Sequence, residues 1–111
     1  MDENVNGTKI EIIYRIKQNL NLVREAQKMG KDQAVQKNVN PLIEQLSLGN
    51  ENPSIGSEPI NGGMSELRGY NESRVYYRKL QKSKKTVYEV LGKSNKDNQK
   101  TVISLVKKYY L

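Results

Sequence analysis

Arg74-Val75-Tyr76-Tyr77-Arg78-Lys79-Leu80 and Thr86-Val87-Tyr88-Glu89-Val90-Leu91 carry the reading that decides the fold. Both runs are dense in β-branched and aromatic residues, and the polar stretch Gln81-Lys82-Ser83-Lys84-Lys85 separates them, so together they read as an antiparallel hairpin. Side chains alternate along a strand. Val75 and Tyr77 therefore share one face, and Arg74, Tyr76 and Arg78 share the other. One face is suited to packing. The other suits either phosphate binding or plain solvation.

Upstream, Ser65-Glu66-Leu67-Arg68 reads as a short strand joined to the hairpin by a turn through Gly69-Tyr70-Asn71-Glu72. Gly49 to Gly63, punctuated by Pro53, Gly56, Pro59, Gly62 and Gly63, reads as a loop. Further back, Lys31 to Leu48 is helical, with Val35, Val39, Leu42, Ile43 and Leu46 near one face, and Asn40-Pro41 predicts a break or kink. Ile16, Leu20, Val23 and Ala26 predict an earlier helix ending near Gly30, after a first strand at Lys9 to Tyr14. Residues 1–8 read as a disordered leader, and residues 9–111 as a single domain. Downstream, Gly92-Lys93-Ser94-Asn95-Lys96 reads as a basic turn. Asp97 is placed to cap a last helix from Asn98 to Tyr110, packed through Val102, Ile103, Val106 and Tyr109 or Tyr110.

Composition narrows the chemistry. The chain has 111 residues, no Cys, His, Trp or Phe, and 35% hydrophobic content; its mean hydropathy is −0.81. Disulfides, thiolate or imidazole metal sites and histidine-dependent catalysis are excluded. No cofactor or metal is expected, and acid–base work falls to Arg, Lys, Tyr or carboxylates. No apolar run is long enough to span a bilayer and the acidic start is unlike a signal peptide, so a cytoplasmic protein with no membrane partner is expected. The net charge is +7. It is concentrated in residues 60–111, where 12 Lys and Arg face 4 Asp and Glu, against 7 and 8 in residues 1–59. That asymmetry points to an anionic partner, most economically nucleic acid; a solvated surface is the alternative.

Leu67-Arg68, the polar turn, Arg74-Val75-Tyr76-Tyr77-Arg78, the second hairpin strand and Leu91-Gly92-Lys93-Ser94-Asn95-Lys96 resemble the RelE/ParE superfamily of bacterial toxins. The resemblance implies a small α+β, RelE-like fold: a twisted antiparallel sheet with two N-terminal helical segments and a C-terminal helix. It also implies the toxic half of a type II toxin–antitoxin pair, neutralised by a cognate antitoxin protein. RelE-type members are ribosome-dependent endoribonucleases that cut mRNA; ParE-type members inhibit DNA gyrase without catalysis. A basic nucleic-acid-binding domain is a third reading.

By position, Arg74 matches the family arginine that contacts the scissile phosphate, and Lys93 and Lys96 fall in the basic turn that carries further catalytic residues. Glu66 is a candidate base or an ion-pair partner. Arg68, Arg78, Lys79 and Tyr76 are candidate nucleic-acid contacts, although a tyrosine in a chain without Phe or Trp also serves a core. The chain departs from one nuclease branch at Ser94, where that branch has arginine, and at Lys100, near where it has tyrosine.

Overall fold

The computed structural model describes residues 9–111; the leader read over residues 1–8 lies outside them. Five strands and three helices follow in the order β1 (Lys9–Tyr14), α1 (Leu20–Gly30), α2 (Gln33–Ser47), β2 (Gly56–Ile60), β3 (Met64–Arg68), β4 (Arg74–Lys82), β5 (Lys85–Ser94) and α3 (Gln99–Tyr110), with a short 3₁₀ turn at Ile16–Gln18. The strands form one sheet in the order β1-β5-β4-β3-β2. Three neighbouring pairs run antiparallel, and β1 pairs with β5 in parallel, so the α+β architecture stands and its sheet is mixed.

The hairpin is tighter than the sequence suggested. Lys82 pairs with Lys85, leaving Ser83 and Lys84 as the turn. β5 also runs through Gly92, Lys93 and Ser94, so the basic turn is confined to residues after Ser94. β5 lies between β1 and β4 and is the most buried strand. Between Tyr76 and Tyr77 the register shifts: Tyr76 faces Gly92 and Tyr77 faces Val90, with Leu91 as the extra residue of a bulge.

Paired residues share a sheet face, which fixes what each face carries. Arg74, Tyr76 and Arg78 lie with Glu66, Arg68, Glu89 and Ser94; Val75, Tyr77 and Lys79 lie with Leu67, Tyr88 and Lys93. α3 covers the first face. A Cβ built on Gly92 would stand 2.8 Å from Val102 and 3.2 Å from Val106, so only glycine lets this helix approach so closely. α2 covers the second face and buries Val35, Val39, Leu42, Ile43 and Leu46, the stripe read from its spacing.

Four local expectations are corrected. Gly49 to Gly63 is not all loop: Gly56–Ile60 forms the edge strand β2, where Pro59 is tolerated on an outer strand. Pro41 does not break α2, which runs continuously from a cap at Asp32; the Asp32 carboxylate accepts from the amides of Ala34 and Val35 at 3.1 and 3.3 Å. Leu20 is 63% exposed. Asn19 has extended backbone and caps α1 by accepting from Leu22 N at 3.1 Å, so Ile16 and Leu20 belong to different helical segments and their spacing carries no common face. α1 buries Leu22, Glu25 and Met29 instead. Finally, Asn98 rather than Asp97 sits at the start of α3. Asn95 Oδ1 accepts from the amides of Asp97 and Asn98, and Asn98 Oδ1 accepts from Asn95 N, which holds the turn closed.

Candidate functional site

Strand pairing brings Glu66 of β3 beside Tyr76 of β4, one step from Arg74 along the same face. The Glu66 carboxylate is buried and draws three donors. Arg68 Nε lies 3.1 Å away, Gln99 Nε2 donates at 2.9 Å from the first turn of α3, and Arg74 Nε stands at 3.6 Å. Arg68 also reaches Glu58 on β2, bridging two carboxylates that the register sets opposite each other.

Arg74 is held from several sides. Its Nη1 donates to the carbonyls of Ser73 at 2.9 Å and Gly69 at 3.4 Å, and its Nη2 donates to Glu72 at 3.1 Å. The turn that supplies these partners requires left-handed backbone at both Asn71 and Glu72. The Arg74 Nε is buried and has no hydrogen-bond partner among the described residues.

A second cluster lies farther along this face. Glu89, 1% exposed, receives Arg78 Nε at 2.8 Å and Arg15 Nε at 2.5 Å. Burial works to raise the Glu89 carboxyl, but the hydrogen bonds from the two guanidiniums prevail and hold it below its ordinary value. Arg78 Nη1 donates to the Tyr110 carbonyl at 2.7 Å, and the Tyr110 hydroxyl donates to the Arg15 carbonyl at 2.6 Å. The end of α3 is thereby tied to the end of β1.

Of the residues singled out in the sequence, Glu66, Arg68 and Arg74 come together. Arg78 shares their face but belongs to the Glu89 cluster. Tyr76 is corrected as a base-stacking contact: it is fully buried, and its hydroxyl shares a 2.8 Å hydrogen bond with Ser94 Oγ. Burial pushes its phenol well above the ordinary range. A ring enclosed under α3 offers no face to a base.

Lys79 lies on the α2 side of the sheet and pairs with Glu51 at 2.8 Å. Lys93 is also on that side, across from Val75, so it does not join Arg74. Lys96 sits exposed in the turn before α3. Gln99 and Arg15 were missed in the sequence, and Tyr110 was read only as a packing residue of the last helix. No local motif marks them, because each acts through a partner remote in the chain.

A carboxylate between two guanidiniums can accept a proton while the cations bind a phosphate. Among the described residues no group of three acidic side chains converges to hold a metal. No helix there is long and apolar enough to cross a membrane.

No family model and no curated protein matches the sequence. The architecture does have a counterpart. A YoeB/ParE toxin from Agrobacterium tumefaciens superposes with a TM-score of 0.57 over 77% of this chain and 97% of its own, at 18% identity. The chain therefore shares the fold of that toxin structure.

Proposed function

We propose that the protein is the toxin of a type II toxin–antitoxin system and cleaves mRNA on the ribosome. The observation that carries this reading is the convergence of Arg68 and Arg74 on the Glu66 carboxylate, with the Arg74 Nε still free of a hydrogen bond among the described residues. RNA supplies its own nucleophile. In this reading Glu66 takes the proton of the 2′-hydroxyl, whose oxygen attacks phosphorus. Arg74 and Arg68 bind the phosphate oxygens as negative charge develops. The 5′ oxygen leaves with a proton from Lys96, two residues beyond Ser94, the cross-strand partner of Arg74. The product is a 2′,3′-cyclic phosphate.

Induced expression tests this, with mRNA 5′ ends and gyrase-dependent DNA cleavage measured in parallel. New mRNA ends should appear in wild type. Losing one donor to the developing charge typically costs about 10²–10³ in rate, so Arg74→Ala should abolish both cleavage and growth inhibition. Arg74→Lys keeps the charge but loses the planar fork, and should impair cleavage far more than nucleic-acid binding. A folded Arg74→Ala protein as toxic as wild type rejects the assignment.

A gyrase-binding toxin without catalysis is the second reading. It is favoured by the position of Lys93 on the reverse face and by the neutralisation of Arg78 by Glu89. DNA breaks without new mRNA ends would select it.

A further inference from the structure

β1 stops at Tyr14, opposite Val90, while β5 continues to Ser94. Past the end of β1, on the α2 side, a cleft of about 300 Å³ opens between Tyr14, Lys93 and four residues of α2: Asn40, Ile43, Glu44 and Ser47. Their spacing of three and four places them on one side of that helix.

Lys93 sets this cleft apart. Five cationic side chains are part-buried among the described residues: Arg15, Arg68, Arg74, Arg78 and Lys93. Each of the four arginines pairs with a carboxylate; Lys93 makes no ion pair among the described residues. A cation withdrawn from water without a counter-ion is costly, and an anion entering beside it offsets that cost. In agreement, burial lowers the Lys93 amine below its ordinary value.

The other walls restrict what the anion is attached to. Tyr14 is 42% exposed and presents an aromatic surface, and Ile43 adds apolar area. Asn40 Oδ1 already accepts from Gln36 at 2.6 Å, which leaves its amide hydrogens for a ligand. Glu44 is exposed and makes no ion pair among the described residues, so it disfavours a bare anion and welcomes a ligand with N–H donors. An anionic group, a flat ring and N–H donors together describe a nucleotide.

We propose that this cleft binds one nucleoside monophosphate unit, with its phosphate on the Lys93 amine, its base against Tyr14 and its base N–H groups directed to Glu44. The unit comes from a free nucleotide or from single-stranded RNA. The site lies on the sheet face opposite Glu66 and Arg74, and its binding is independent of any cleavage there.

The test is a titration of the isotope-labelled full chain followed by NMR. The probes are the four 5′-ribonucleoside monophosphates, inorganic phosphate, a single-stranded RNA pentamer and an acidic peptide. At least one mononucleotide should shift Tyr14, Ile43, Ser47 and Lys93 signals at millimolar concentration. Lys93→Gln should weaken it about tenfold or more, as expected for loss of a charge-assisted hydrogen bond. Tyr14→Leu should also weaken it, and Arg74→Ala should leave it unchanged.

The Lys93 amine, followed in wild type by ¹³C-methylation of lysines, should titrate at higher pH once the nucleotide binds, a readout that needs no variant. A pentamer binding more tightly than the mononucleotide at these signals identifies RNA as the source; equal affinity identifies a free nucleotide. Silence of these signals with every nucleotide and the pentamer, equal affinity for inorganic phosphate, a response to the acidic peptide alone, or undiminished binding by a folded Lys93→Gln protein overturns the proposal.

Discussion

At Glu89, burial and charge pull in opposite directions, and the two guanidiniums win. The sign of the consequence follows. The folded-state pKa lies below the unfolded one, so the pairing stabilises fully above the ordinary value of 4.5 and is lost as pH falls through the folded value. Wild-type melting temperature should drop below about pH 4.5, and Glu89→Gln should flatten part of that acid limb. At neutral pH the same substitution leaves two guanidiniums facing each other and should cost about 3 kcal/mol in denaturant unfolding, at the low end for broken buried pairs because both arginines keep some solvent contact. Alternation along β4 made one part of this legible: Arg74, Tyr76 and Arg78 do share a face. What covers that face was not legible. Gln99 and Tyr110 reach Glu66 and Arg78 from a helix that no local spacing ties to β4, and so the enclosure of Tyr76 was hidden. Lys93 was misplaced for a related reason. Reading Gly92 to Lys96 as a turn removed the strand alternation that sends Lys93 to the other side.

The apolar stripe of helix α2 was legible in the sequence, but its continuity was not: five apolar residues at helical spacing outweigh the single proline at which a break was expected. That proline makes a prediction at the scale of the element. Pro41 lacks an amide hydrogen inside a continuous helix and is exposed, so Pro41→Ala should stabilise the protein by about 1–3 kcal/mol, visible as a higher melting temperature. Leu42→Ala, one residue on and buried, should instead cost about 2–5 kcal/mol. A near-zero change would mean that α2 does not seat on the sheet through that side chain. Gly92→Ala tests the opposite face. The added methyl meets Val102 and Val106, and overpacking of this kind should cost about 1–3 kcal/mol while loosening α3 enough to speed amide exchange along it. Strand β2 escaped the sequence reading because its residues are mostly exposed and include Gly, Ser and Pro. Pairing with β3, rather than its own propensity, makes it a strand. The phase error in α1 has an equally local origin in the extended backbone of Asn19.

For the whole molecule, the charge asymmetry seen in the sequence survives in modified form. The basic half folds into β3, β4, β5 and α3, but its arginines are spent largely on internal carboxylates, and lysines carry the outward charge. Under the proposed function, an antitoxin segment rich in Asp and Glu should co-purify with the protein and raise its melting temperature, by about 2.7 kcal/mol of stability at a hundredfold excess over Kd. Affinity should fall as salt rises; salt-insensitive binding would show that charge does not drive it. The parallel pairing of β1 with β5 carries one more consequence, for synthesis. Lys9 pairs with Lys85 and Tyr14 with Val90, so the first strand has no place in the sheet until residues 85–90 have been made. Local helices form early, whereas contacts between distant segments close late. At about 5–20 residues per second, translation holds the nascent chain short of its fold for several seconds. The sheet that carries Glu66 and Arg74 is therefore completed only once β5 has been made, and any activity of that site begins after that point.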